Sequence, residues 1–319
     1  MTKHYDVTAL GEVLIDFTEN GSSAQGNPMY EANPGGAPCN VLAMLQKFGH
    51  KTAFLGKVGE DIFGRRLEIV LKEAGIDTAG LCMDPTVRTT LAFVEKKADG
   101  DRDFSFYRNP GADMMLRTEE QQEQILKDTR IFHFGTLSMT DEPVRSATRH
   151  AIETAKANGA LLSFDPNIRE PLWRSLEEAK RQTAYGMEVC DVLKISDNEI
   201  RWFTGEEDFD RGVDKLWREY HIPLILLSLG SGGSRAYCGS RRAEQPAFIQ
   251  AGTIETTGAG DTFGACCLHY ILEHGMTGLG TTELEEMLRV ANAAASIVTT
   301  RRGALRVMPE PEEIQEFLV

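Results

Sequence analysis

The sequence predicts an α/β fold with a mostly parallel central sheet covered by helices on both faces. Short β-branched or apolar runs alternate with longer amphipathic ones through most of the chain. Parallel strands need crossover connections, and amphipathic helices supply them. With 319 residues and 41% hydrophobic content, the chain has enough apolar material for a sizeable core.

In chain order, residues 7–11 open as a strand, 38–49 read as a helix stopped by glycine, and 52–55 form a strand again. Helices are then expected over 63–75, 143–158 and 176–189. Strands are expected over 131–134, 160–164, 192–195 and 224–229. In such a sheet, ligands bind beyond the C-terminal ends of the strands.

Two stretches break the alternation. Residues 17–34 are polar and rich in turn signals, and 88–113 read as two strands, 89–94 and 104–108, joined by the turn Ala98-Asp99-Gly100-Asp101. Strands without a following helix cannot join a parallel core by a short connection. Both stretches are therefore expected to form a small β flap, placed as a lid over the strand-end site, within a single domain spanning 1–319. An ordinary surface hairpin is the plainer reading of the same composition. Leu91, Phe93, Phe104 and Phe106 would keep one lid face apolar, which a second copy of the chain could cover to make a homodimer.

Charge narrows the partners. Against 34 basic residues stand 48 acidic ones, and a net charge of −14 repels nucleic acid and anionic membranes. No run of 18 apolar residues occurs, so a soluble, cytoplasmic protein is expected. The six cysteines read as reduced core thiols, and none of the seven histidines shares a metal-ligand spacing with a cysteine or another histidine.

The chemistry concentrates in Gly258-Ala259-Gly260-Asp261-Thr262-Phe263, ahead of an apolar helix. Amides at a helix N-terminus lack intrahelical partners and attract anions, and glycine lets a phosphate approach the main chain. A carboxylate is electrostatically awkward there, which suggests that Asp261 acts as general base on the attacking hydroxyl; the plainer alternative is a helix-capping Asp. Pro34-Gly35-Gly36-Ala37-Pro38-Cys39-Asn40 enters a helix with main chain and an amide able to meet a small polar ligand. Ser228-Leu229-Gly230-Ser231-Gly232-Gly233 follows a strand, where a nucleotide contact and a hairpin turn are both common.

These segments, with residues 11–17 and 56–64, occur in the order that resembles the ribokinase-like carbohydrate kinases of the phosphofructokinase-B type. Within that family, residues 164–173 are most similar to bacterial fructokinases. The resemblance covers almost the whole chain. It implies a three-layer α/β/α sandwich with a β lid, and transfer of the γ-phosphate of ATP to a sugar hydroxyl with Mg2+.

Residue by residue, the resemblance implies Asp261 as base, with Gly258, Ala259 and Gly260 as the anion hole. It implies Asp16, Gly35, Gly36 and Asn40 at sugar hydroxyls, and Arg108 and Arg169 facing substrate or phosphate. Lys194, Ser228, Gly230, Gly233 and Asn292 would meet the nucleotide, and Glu199 a metal through water. Two positions depart from the family pattern. Glu255 replaces the usual Asp ahead of the turn, which leaves K+ use open, and Ser196 replaces the asparagine three residues before Glu199. Fructose is the expected acceptor. A 2-keto-3-deoxygluconate kinase, another small-molecule kinase of the family, and a non-catalytic sugar-binding regulator stay open as alternatives.

Overall fold

A computed structural model describes residues 3–96 and 102–319. Its first elements are strands β1 (Tyr5–Leu10), β2 (Leu14–Ser22) and β3 (Pro28–Gly35), helix α1 (Ala37–Lys47), β4 (Thr52–Gly59), α2 (Ile62–Glu73) and β5 (Asp77–Asp84). Then come β6 (Leu91–Lys96), β7 (Arg102–Tyr107), α3 (Glu123–Lys127), β8 (Thr129–Gly135), α4 (Val144–Ala157), β9 (Leu161–Asp165), α5 (Leu176–Val189), β10 (Val192–Ser196) and α6 (Asp197–Thr204). The chain closes with α7 (Phe209–Tyr220), β11 (Leu224–Ser228), β12 (Ser234–Cys238), β13 (Arg241–Gln245), α8 (Ala259–His274), α9 (Thr281–Val298) and α10 (Pro311–Leu318).

Nine strands form the large sheet in the order β13-β12-β11-β10-β9-β8-β1-β4-β5, parallel from β5 through β11, with β12 and β13 added antiparallel at the edge. The period-two alternation of the strands divides the core between two faces. Val7, Ala9, Ile131, Val192, Leu224 and Leu226 pack with α1, α2, α8 and α9. Their neighbours Leu10, Phe132, Phe134, Leu193, Ile195 and Ile225 pack with α4, α5, α6 and α7 on the other face. The result is the expected three-layer α/β/α sandwich.

The interrupted stretches form a second sheet, ordered β3-β2-β6-β7. What the composition marks as polar and turn-rich is a β2–β3 hairpin bent around residues 23–27, starting three residues earlier than the expected flap. The 98–101 turn lies outside the described residues, as does the side chain of Phe104. The expected single apolar face is not formed. The antiparallel register pairs Phe106 with Ala92, so Phe106 falls on the face opposite to Leu91 and Phe93. Aromatic company for Phe93 comes instead from Phe17, Tyr30 and Tyr107, with ring centroids 4.8, 5.5 and 5.2 Å away.

Candidate functional site

Beyond the C-terminal ends of the central strands lie two cavities that share a wall. The larger, about 820 Å³, collects Asp16, Gly36, Asn40, Arg169, Glu199 and Asp261, with Phe106 reaching it from the small sheet. The smaller, about 490 Å³, runs past Ser228, Gly230, Gly233, Phe248 and Asn292. Lys194, Ser196, Thr256 and Gly260 line both. That common wall is the N-terminus of α8 set against the end of β10.

Glycine makes the close approaches possible. Gly258 caps α8 with a φ of 78°, and a Cβ there would stand 2.7 Å from that of Ala304. Gly36, at φ 123°, lies so near the Glu12 carbonyl that a Cβ would meet it at 2.4 Å. This turn brings Asn40, in the first turns of α1, to Asp261 in the first turn of α8. The Asn40 Nδ2 donates to Asp261 Oδ2 at 2.7 Å. The Asn40 Oδ1 is buried and has no hydrogen-bond donor among the described residues. In α8 the Ala259 amide already donates to Thr256 O at 3.2 Å, so Gly260 and Asp261 carry the first-turn amides that lack an intrahelical acceptor.

Burial raises the Asp261 carboxyl above its ordinary value, while the Asn40 hydrogen bond, Lys194 and Arg169 pull the other way. Burial likewise lifts Asp16 to about 7; Arg169 opposes this, and Glu255 and Asp261 add to it. Lys194 Nζ sits 2.9 Å from Asp165 Oδ2 and within 3.1 Å of where a Cβ on Gly260 would stand. Burial disfavours its charge, but Asp165 and Glu199 outweigh that and raise its pKa. Burial pushes the Asp165 carboxyl above its ordinary value, and Lys194 opposes that shift. Glu199 is held below its ordinary value despite burial, by Lys194 and by hydrogen bonds from Ser196 Oγ (2.7 Å), Ser196 N (2.9 Å) and Ile168 N (2.9 Å).

The residues expected at the sugar gather at the larger cavity, with two exceptions. Gly35 lies against Asp16, where a Cβ would come within 2.4 Å of the carboxylate. Arg108 is buried away from the cavity, its Nε donating to Asp113 Oδ2 at 2.7 Å and its other nitrogens to Thr140 Oγ1 and Leu137 O. A buried guanidinium needs a counter-charge, and Asp113 supplies it.

Sequence reasoning assigned no role to Glu12 or Asp165. Glu12 lines the larger cavity and accepts the Ala37 amide at 2.9 Å, holding the entry to α1. The signal available for both was a carboxylate at the C-terminal end of a predicted strand. The wall of the smaller cavity at Ala247, Phe248 and Ile249 belongs to no regular element and carried no signal.

Comparison with known proteins gives this geometry its lineage. Residues 5–311 match the pfkB family carbohydrate kinase profile. The probable fructokinase-4 of Arabidopsis thaliana is 41% identical over 315 residues, covering 98% of this chain and 96% of its own. The crystal structure of fructokinase from Xylella fastidiosa with bound ATP superposes with a TM-score of 0.89 at 30% identity, over 98% of both chains. A double mutant of the Vibrio cholerae O395 fructokinase, bound to fructose, ADP and potassium, gives 0.86 at 26% identity over the whole of both chains. Among the described residues no helix is long and apolar enough to cross a membrane. With fold, paired cavities and full-length relatives in agreement, the chain belongs to the pfkB family of carbohydrate kinases, as an ATP-dependent sugar kinase of the fructokinase type.

Proposed function

We propose that the enzyme phosphorylates the 6-hydroxyl of fructose, with Asp261 as general base. One arrangement carries this reading: Asp261 stands on the first turn of α8, in a cavity of hydrogen-bonding side chains, beside the wall shared with the glycine-lined cavity. Asp16, Asn40 and the main chain at Gly35 and Gly36 hold sugar hydroxyls. The unpartnered Asn40 Oδ1 offers an acceptor that an incoming hydroxyl satisfies, while the Nδ2 keeps the Asp261 carboxylate oriented.

Asp261 takes the hydroxyl proton late, since phosphoryl transfer passes through a loose transition state that asks little of the base. Its raised pKa suits it to receive that proton. Negative charge on the moving phosphoryl meets the Gly258–Asp261 turn, chiefly the Gly260 and Asp261 amides, with Lys194 and Arg169 alongside. Each such donor contributes about 3 kcal/mol to the transition state. Ser228, Gly230, Gly233 and Asn292 form the nucleotide side.

The donor set fits Mg2+. Glu199 is an ionised carboxylate at the cavity wall, and Mg2+ takes few protein ligands, completing its shell with phosphate oxygens and water. When bound with ATP, the metal would neutralise phosphate charge. Glu199 would hold it through water.

A neutral acceptor is favoured over a sugar acid by the charges around the larger cavity. Glu12, Asp16, Glu255 and Asp261 line the cavity and outnumber its cations, Arg169 and a Lys194 already paired with Asp165, while Arg108 is paired with Asp113. Fructose and ADP in the Vibrio relative support the same choice. A coupled ADP-release screen over fructose, glucose, mannose, ribose, 2-keto-3-deoxygluconate and adenosine tests it. Fructose should lead; preference for the sugar acid would overturn the acceptor, and silence with every sugar would favour a binding regulator. Run in potassium and in sodium salts, the screen also reads whether the Glu255 loop keeps a potassium response.

We further propose that the small sheet acts as a lid and joins two copies through its aromatic face, where Tyr30 and Tyr107 are 45% and 65% exposed. Sedimentation should give a dimer that Tyr107→Glu weakens.

A further inference from the structure

At the N-terminal ends of the strands, across the sheet from the cavities, His50 follows α1 and precedes β4, Asp6 lies in β1, and His269 and Glu273 stand one turn apart on α8. The ligand atoms of His50, His269 and Glu273 lie within 4.8 Å of one another. The His50 Nε2 faces His269 Nδ1 at 2.8 Å, and the far nitrogen of His50 is 3.7 Å from Asp6 Oδ2. Phe48 stacks on His269 with centroids 4.0 Å apart, fixing that ring's plane. We propose that His50, His269 and Glu273 bind a borderline divalent transition metal, Zn2+ being the best fit, at a site separate from the kinase centre.

The chemistry of the ligand set points this way. A metal-bound histidine characteristically directs its other nitrogen at a carboxylate, and Asp6 stands where it can orient the Nδ1–H of His50 and leave the Nε2 lone pair facing His269. Asp6 is itself steadied by Arg130, whose Nη1 reaches Oδ1 at 2.8 Å and whose Nη2 donates to Leu272 O in α8.

Without a metal, the two nitrogens share one proton. Zn–N bonds of about 2.1 Å in tetrahedral geometry set the nitrogens about 3.4 Å apart, so the rings need to open by only about 0.6 Å. His269 moves its proton from Nδ1 to Nε2, and none is released. The exposed Glu273 carboxylate swings in as third ligand, with water as the fourth. The set of two imidazoles, one carboxylate and an open position suits zinc, whereas the all-oxygen preference of Mg2+ does not match it. The metal would clip the α1–β4 connection to α8.

The test uses the full chain, stripped with a chelator and held in excess Mg2+ to occupy the nucleotide site. Titration with Zn2+, and with Co2+ as visible probe, should show one ion per chain, the Co2+ complex carrying the intense bands of a four-coordinate site. Zn2+ should raise the Tm of the wild type. His269→Ala should abolish both effects, and Glu273→Gln, an exposed change that folding tolerates, should weaken Zn2+ binding by at least about tenfold. ADP release with excess Mg2+ should match wild type in both variants, which separates this site from the kinase reading. Absence of Zn2+ uptake, or uptake unchanged in Glu273→Gln, would overturn the proposal and leave a neutral histidine pair.

Discussion

The two cavities solve recognition by opposite means. In the larger cavity, charged and amide side chains converge, several of them buried and shifted in pKa. Around the smaller cavity the wall is mostly glycine, serine, threonine and alanine, with two aromatic rings, Phe248 and Phe263. A small neutral sugar is recognised by directional hydrogen bonds, and a site that offers them rejects analogues lacking the matching hydroxyl. An adenine ring needs a slot of the right shape, which small residues and a few apolar atoms provide. Substitutions should therefore separate by side.

Asp261→Asn should produce the largest effect. Turnover should fall roughly a hundredfold or more with ATP affinity nearly unchanged, measured by steady-state kinetics and equilibrium nucleotide binding. Wild-type-like turnover would remove the base assignment and, with it, the chemical side of the contrast.

Lys194→Met strikes the shared wall. It should lower kcat by about tenfold to a hundredfold and also raise KM for both substrates. Leaving Asp165 buried without its partner should cost about 3 kcal/mol in denaturant unfolding. A change confined to one substrate would mean that the lysine serves only one cavity.

Asn292→Ala belongs to the nucleotide side alone. Its Nδ2 donates to the Gln245 and Pro246 carbonyls at 3.2 and 3.0 Å, and its Oδ1 accepts from Ser234 Oγ at 2.9 Å. The KM for ATP should rise by about fivefold, the worth of about 1 kcal/mol, with kcat and the fructose KM unchanged. A matching rise in the fructose KM would erase the division between the sides.

The last prediction concerns stability against pH. Asp16 titrates near 7 in the folded protein against an ordinary value of 3.8. Between those values the folded chain holds a proton that the unfolded chain has lost, so this group favours folding at low pH and loses that contribution as pH rises through 7. Asp16→Asn, compared with wild type in chemical denaturation, should therefore gain relative stability across this window. A flat difference would place Asp16 in water rather than in the buried cluster.

What the sequence disclosed follows the same divide. The alternation of short and long apolar runs located the central strands, and the helix expected at 176–189 has those bounds in the structure. Gly258–Asp261 and Gly36–Asn40 were legible because glycine next to a polar side chain is a local signal with a local cause. The partners of Arg108 were not legible because Asp113 and the Leu137 carbonyl are brought to it by tertiary packing. The split of Leu91 and Phe106 between two faces depends on a strand register that composition does not encode. Strands β12 and β13 went unread because their exposed positions are charged or small and the period-two signal is weak. The slot at Phe248 depends on a loop with no repeating pattern at all.

Because Lys194 lines both cavities, a single molecule that joins the proposed sugar end to the proposed nucleotide end meets that ammonium at the wall they share. An anionic spacer would gain there what an uncharged one forgoes. Inhibitor chemistry against this enzyme can thus begin from the linker, with the two recognition ends chosen afterwards.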